Sequence, residues 1–346
     1  MAVASHARDD EELRAGIERW LHSHVADLAD ATVAALSRPT TGLSSDTVFV
    51  TATPRSGAST EWVVRLPPAG AGLFPTYDLG DQVAIQNGLS AAGIPTAAPA
   101  SFEPDPSWLG APFMFMPRCA GRVVTTNPPY LRVGWLADAP SATQHRLIGS
   151  FLTNLAALHR LDPSTAGTPM PIVALDATLD RWSDYLTWAA AGAPIPGYLV
   201  AARDWCEENL PAAPPEPTVL WGDVQLANCV FDDAGRVVAL LDFELAGTGP
   251  AEMDLGWFLA LHEMTVALNG GDLPGFGDRT SMLATYETSL GRSVEDLRWY
   301  QVFALVRSGA IMVRIARILA AQGVDDSWLT RGNPTEGALV RVMSEE

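Results

Sequence analysis

The segment Val219–Glu244 restricts the possible folds of this chain more than any other. Two short apolar runs, Cys229–Phe231 and Val237–Leu241, flank the turn residues Asp232, Asp233, Ala234 and Gly235. That pattern is the pattern of a β-hairpin. Asp223 and Asn228 precede the first run, and Asp242 follows the second. A hairpin returns its ends to one side, so the spacing predicts that these three oxygen-bearing side chains converge. Two carboxylates and an amide oxygen make a hard-oxygen set suited to Mg²⁺.

Each element alone has an ordinary reading. Asp-Asp-Ala-Gly is a common turn, and an Asp that closes a strand is commonly a cap. The ordered trio with a hairpin between its members points to chemistry instead. Asp, four residues, then Asn is the spacing of the protein-kinase catalytic loop, where the Asp takes the proton of the acceptor hydroxyl and the Asn holds a metal. Asp242-Phe243-Glu244 stands where kinases carry Asp-Phe-Gly, whose Asp binds the phosphate-bridging metal. The expected roles are therefore Asp223 as catalytic base and Asn228 and Asp242 as metal ligands. An unperturbed Asp is ionised at neutral pH, so Asp223 needs no raised pKa for this task.

On these residues the chain resembles the aminoglycoside phosphotransferase and choline kinase superfamily. That family reads His-Gly-Asp, four residues, Asn, then (Ile/Leu)-Asp-(Trp/Phe)-Glu; here the residues are Trp221-Gly222-Asp223, Asn228 and Leu241-Asp242-Phe243-Glu244. Pro250–Trp257 is similar to the family's Asp-Pro-Ala-x-Asp-Leu-Ala segment. The likeness runs from about Thr41 to about Leu319 and is nearest to the kinase domains fused to acyl-CoA dehydrogenases in animals. It implies an α+β, bilobal, protein-kinase-like fold: a small N-terminal lobe with an antiparallel β-sheet and helices, residues 1–117, that binds nucleotide, and a larger, mainly helical catalytic and substrate-binding lobe, residues 118–346. It also implies Mg²⁺-dependent phosphoryl transfer from ATP or GTP to a hydroxyl of a small molecule. The family's name would make that molecule an aminoglycoside, but a hydroxyacyl-CoA or another hydroxylated metabolite fits the nearest subgroup better.

Residues Asp10–His24 have helical periodicity with acidic residues in the first turn. Three strands are expected at Thr32–Leu36, Thr47–Thr53 and Glu61–Leu66. The resemblance places the Thr40–Thr47 connection over the nucleotide phosphates, with Gly42, Ser44 and Thr47 matching Gly-Gly-x-Ser-Asn-x-Thr and Ser45 in place of Asn. It places Arg65 where a phosphate-gripping Lys is usual. Arg keeps the charge and binds phosphate in a bidentate way, but it is bulkier. The helix expected at Tyr77–Ala91 then carries Gln82, beside Asp81, where the Lys would find its Glu partner. Gly110–Gly121 reads as a strand and turn, which the resemblance makes a hinge with the adenine against the backbone at Met116.

Helices are further expected at Ser141–Leu161, Asp176–Ala190, Val200–Leu210 and Leu297–Ala320. His159 reads as a core histidine behind the catalytic loop, and Trp182, Tyr185 and Trp188 read as core aromatics. Trp221, replacing the family His, is expected to substitute packing for a hydrogen bond. Glu244 and Asp254 read as loop braces, with Asp254 equally readable as a helix cap. Arg307, Arg314 and Arg317 form a stripe on the last of these helices, calling for anionic partners such as Asp254 or Glu263, or an anionic substrate.

Composition limits the partners. Forty acidic residues against 22 basic ones give a net charge of −18, which argues against nucleic acid or an anionic membrane surface. All the basic residues are Arg, because the chain has no Lys. Cys119, Cys206 and Cys229 follow no metal-binding spacing and read as reduced thiols, and no membrane-length apolar run or signal core appears, so a cytoplasmic protein is expected. Two other function classes stay open: a regulatory pseudokinase that binds nucleotide, motivated by Arg65, Gln82 and Trp221, and a metal-dependent phosphatase using the same carboxylates. Oligomeric state is not legible.

Overall fold

The computed structural model describes residues 8–39, 44–167, 170, 172–325 and 333–344. The chain divides into two compact units, with the boundary between Ala120 and Gly121.

The first unit opens with helix α1 (Asp10–His24), whose N-cap Asp9 accepts from the backbone of Glu11 and Glu12. Its apolar stripe of Leu13, Ile17, Trp20 and Leu21 is buried, as a period of 3.6 requires of a surface helix. A five-stranded antiparallel sheet follows, built from β1 (Thr32–Ser37), β2 (Asp46–Thr53), β3 (Thr60–Leu66), β4 (Ser101–Glu103) and β5 (Phe113–Pro117) in the order β1-β2-β3-β5-β4. Alternation along β2 sends Val48, Val50 and Ala52 into a core shared with Leu21, Val64, Leu66 and Phe113. Helix α2 spans Leu79–Ala91 and starts two residues later than its pattern predicts. The carboxylate of Asp78 accepts from the backbone N–H of Asp81 and so sets the start.

In the second unit, two small ribbons sit among helices α3 (Ser141–His159), α4 (Leu175–Ala190), α5 (Gly197–Glu208), α6 (Glu252–Asn269), α7 (Arg279–Leu290), α8 (Leu297–Ala321) and α9 (Pro334–Ser344). Helix α8 is central, packing against α4, α5, α6 and α9. The glycine at 256 allows α6 to approach α8: a Cβ there would lie 2.8 Å from the Tyr300 backbone carbon. Strands β7 (Cys229–Phe231) and β8 (Val237–Leu240) form the expected hairpin. Its turn is closed by Asp232, which accepts through its side chain from Ala234 and Arg236. Strand β6 (Thr218–Leu220) pairs with β9 (Gly247–Gly249). Strand β9 is Gly-Thr-Gly, and glycine is depleted in strands, so its pairing with β6 and not its composition makes it one. No helix among the described residues is long and apolar enough to cross a membrane.

Candidate active site

The Trp221–Asn228 loop leaves the end of β6 with its first two amides already held. Asp254, in the first turn of α6 and 0 % exposed, accepts from Trp221 N–H at 2.6 Å and Gly222 N–H at 3.0 Å. His159 Nε2, at the end of α3, lies 3.1 Å from the same carboxylate. A carboxylate can only accept, so Nε2 carries the proton. Tyr286 Oη, 2.6 Å from Nδ1, then donates to the remaining lone pair. His159 is thus a satisfied core histidine, and Asp254 braces the loop rather than capping α6, whose N-cap is Ala251.

The next peptide of the loop is also held. Arg307, 4 % exposed on α8, donates to the Gly222 carbonyl at 3.0 Å. Gly222 has φ +89, and a Cβ there would meet the Leu245 carbonyl oxygen at 2.0 Å, so only glycine fits. The Arg307 guanidinium lies 4.6 Å from the Trp257 ring centre and 4.8 Å from that of Trp182. Burial pushes its pKa down to about 10, while the charges of Asp254 and Asp223 oppose that shift.

Beyond the brace, the loop presents Asp223, which is half-buried. Both its oxygens are occupied: Gln225 Nε2 donates to Oδ1 at 2.6 Å and Asn228 Nδ2 to Oδ2 at 2.8 Å. Burial first, and the nearby Asp242 charge second, raise the Asp223 carboxyl above the ordinary Asp range; the two amide donors and Arg307 act the other way. A raised value makes the ionised form a stronger proton acceptor.

Asp242 follows β8 in a left-handed conformation, φ +63, which is costly for a non-glycine residue and concentrates at functional positions. Two contacts set its place. Leu241 N–H donates to the Asn228 carbonyl at 2.9 Å, and Trp221 Nε1 donates to the Leu241 carbonyl at 2.8 Å. Trp221 therefore supplies a hydrogen bond as well as packing, correcting the expectation that it would supply packing alone. Its ring is fully buried near Phe151 and Phe243. Asp223 and Asn228 are hydrogen-bonded, and the Asp242 charge lies near enough to act on Asp223.

No group of three or more His, Cys, Asp or Glu side chains suited to a metal occurs among the described residues. The local chemistry nevertheless fits Mg²⁺, which takes one or two protein oxygens and completes its shell with waters and phosphates. Asn228 must point its nitrogen at Asp223, whose oxygens only accept, so its carbonyl oxygen is the arm left for a cation.

In the first unit, Arg65 on β3 is buried and donates from Nε and a terminal nitrogen to Ser45 Oγ at 3.1 and 3.0 Å. Ser45 Oγ lies 3.3 Å from Thr47 Oγ1, and Thr47 is the cross-strand partner of Arg65. These three expected nucleotide-site residues are brought together. Ser44 is half-buried beside them, and Gly42 lies outside the described residues. Met116 is buried on β5 with its sulfur 3.5 Å from Gln86 Nε2. Gln82 is buried on α2, and its Oε1 has no hydrogen-bond partner among the described residues.

Two arginines of the stripe have contacts within the fold. Arg307 bonds a backbone carbonyl instead of Asp254 directly, Arg314 stacks 4.4 Å from the Trp188 ring, and Glu263 pairs with Arg279. Trp182 and Trp188 of α4 thus serve as platforms for arginines, Trp188 from an exposed position, and are not plain core. The role of Gln225 was not read from the sequence, although an amide two residues beyond the Asp in a tight loop is a signal that could have pointed to it.

An antiparallel sheet unit followed by a helical unit with this braced Asp–Asn–Asp loop defines a protein-kinase-like fold. The phosphotransferase enzyme family (APH) matches residues 35–287, and the chain belongs to that family. It is 27% identical over 247 residues to mouse acyl-CoA dehydrogenase family member 11, covering 69% of this chain and 30% of that protein. The chain therefore spans about three-tenths of that relative's length. Among solved structures it is similar to a putative aminoglycoside phosphotransferase from Ralstonia eutropha, with a TM-score of 0.68, 20% identity and coverage of 95% and 94% of the two chains. It is also similar to the GDP and kanamycin complex of APH(2")-IIia, with a TM-score of 0.59, 14% identity and coverage of 93% and 99%. At these identities the structures establish the shared fold.

Proposed function

We propose that this chain transfers the γ-phosphoryl group of ATP or GTP to a hydroxyl of a small molecule, with Mg²⁺ as cofactor. The observation that carries the reading is the convergence of Asp223, Asn228 and Asp242 on a loop whose backbone is held by Asp254 and Arg307. The acceptor oxygen forms the new bond to the γ-phosphorus, and the bond to the β,γ-bridging oxygen breaks, its electron pair leaving with the nucleoside diphosphate. The hydroxyl proton passes to the Asp223 carboxylate. When bound, Mg²⁺ would be held by Asp242 and the Asn228 oxygen and would neutralise phosphate charge. Arg65, presented with Ser45 and Thr47, would add positive charge to the phosphates, and Ser44, Gly42 and Met116 would complete the nucleotide contacts. Positioning and charge stabilisation supply most of the acceleration in such transfers.

The name of the animal relatives makes hydroxyacyl-CoAs the first acceptors to test, with kanamycin as the comparison. In a coupled assay of diphosphate release, Asp223→Asn should lower turnover by roughly 10²–10⁴-fold, the usual worth of a general base. Nucleotide affinity should hardly change. Wild-type turnover in that variant refutes the assignment. Gln82 and Arg65 favour one second reading, a nucleotide-binding pseudokinase; nucleotide binding with no turnover on any hydroxyl compound would establish it.

A further inference from the structure

We infer that Gln225 is a positioning and specificity residue for the acceptor, orienting Asp223 with its amide while its side chain walls an adjoining cavity that takes the uncharged, non-reacting part of the acceptor. The inference rests on the phosphoryl-transfer reading above. Its first support is the 2.6 Å contact from Gln225 Nε2 to Asp223 Oδ1. With Asn228 on Oδ2, this contact fixes the carboxylate plane and leaves one further lone pair on each oxygen for an incoming hydroxyl. The Gln225 backbone cannot drift, because its carbonyl accepts from Asn228 N–H at 3.1 Å, and Cys229 Sγ lies 3.8 Å away.

The second support is independent of the first. Gln225 and Val224 line a cavity of about 80 Å³, together with Tyr130 and with Phe258, Leu261 and His262 of α6. All of these residues belong to the unit that begins at Gly121. Three polar side chains that line it with Gln225 have partners: His262 Nε2 lies 2.8 Å from Asp272, Tyr130 Oη lies 3.2 Å from His262 Nδ1, and Thr265 Oγ1 donates to the Leu261 carbonyl at 2.8 Å; Thr126 lines it as well. No carboxylate lines the cavity, so a polycation finds no counter-charge there. Its volume is roughly half the ~150 Å³ that holds a benzene ring, enough for a fragment of a few carbons.

The test uses the full chain with Mg-ATP, water as the basal acceptor, and neutral alcohols from ethanol through butanol to benzyl alcohol. Gln225→Leu keeps the wall and removes the donor. Turnover with every acceptor, water included, should fall roughly 10- to 100-fold, the range for one hydrogen bond to a charged group, with KM for nucleotide unchanged. Gln225→Ala should in addition move the preferred alcohol from butanol to benzyl alcohol. Gln225→Met replaces the Leu variant if thermal melting shows that variant unfolded. Wild-type turnover in the Leu or Met variant, an unchanged alcohol ranking in the Ala variant, or kanamycin outcompeting the alcohols would overturn the inference alone. A wild-type protein with no nucleotide turnover on any acceptor would instead remove the phosphoryl-transfer reading.

Discussion

Asp254→Ala is the sharpest test of the braced loop, because it is a stability experiment that needs no substrate. Asp254 is fully buried and accepts two backbone N–H groups, at 2.6 and 3.0 Å, in addition to His159. Hydrogen bonds to a charged group contribute about 1.5–3 kcal/mol each, and the two amides would be left without their acceptor. Their loss alone comes to about 3–6 kcal/mol by the same scale. Alanine returns a few tenths of a kcal/mol in helix preference, at most ~0.7. A net loss of about 3–5 kcal/mol is a large share of the ~5–15 kcal/mol that holds a domain folded. Asp254→Asn keeps one acceptor oxygen but turns an amide nitrogen toward a donor, so it should fall between wild type and alanine. Urea unfolding should show the ordered drop in midpoint, and hydrogen exchange should show the Trp221 and Gly222 amides losing protection. A loss below about 1 kcal/mol, with both amides still protected, would refute the brace, since that is the net worth of a single ordinary hydrogen bond.

Three further outcomes follow from the same contacts. Trp221→Phe keeps an aromatic ring but removes the 2.8 Å bond to the Leu241 carbonyl and leaves a small cavity where the fully buried indole was; it should cost about 1 kcal/mol for the bond plus a cavity contribution in denaturant unfolding, and weaken Mg²⁺-dependent nucleotide binding through Asp242. Asp242→Ala should remove the Mg²⁺ dependence of nucleotide binding in calorimetry, and full retention would defeat the metal assignment. Arg65→Ala should raise the nucleotide dissociation constant, with Arg65→Lys recovering part of the loss because charge returns without the bidentate fork; an unchanged constant in the alanine variant would show that the phosphate anchor lies elsewhere.

Local pattern carried a large part of this protein. Alternation in Thr47–Thr53, the 3.6-residue stripe of α1 and the turn residues of the hairpin each specify an element through contacts a few residues apart. The turn residues were enough to anticipate the hairpin that brings Asn228 and Leu241 side by side, since a hairpin returns its own ends to one another whatever surrounds it.

What only the tertiary structure decided was the set of partners distant in sequence. The Trp221 and Gly222 amides find Asp254 from α6, and the Gly222 carbonyl finds Arg307 from α8. The indole of Trp221, which the sequence offers as a packing residue, donates to the carbonyl before Asp242. Of the arginine stripe, Arg307 meets the Trp182 and Trp257 faces and the Gly222 carbonyl while the charges of Asp254 and Asp223 act on it, and Arg314 meets the Trp188 face. A residue's type states what it can bond, and hydrophobic periodicity states which way it faces. Which partner it meets depends on how helices pack across long separations in the chain, and no local pattern encodes that.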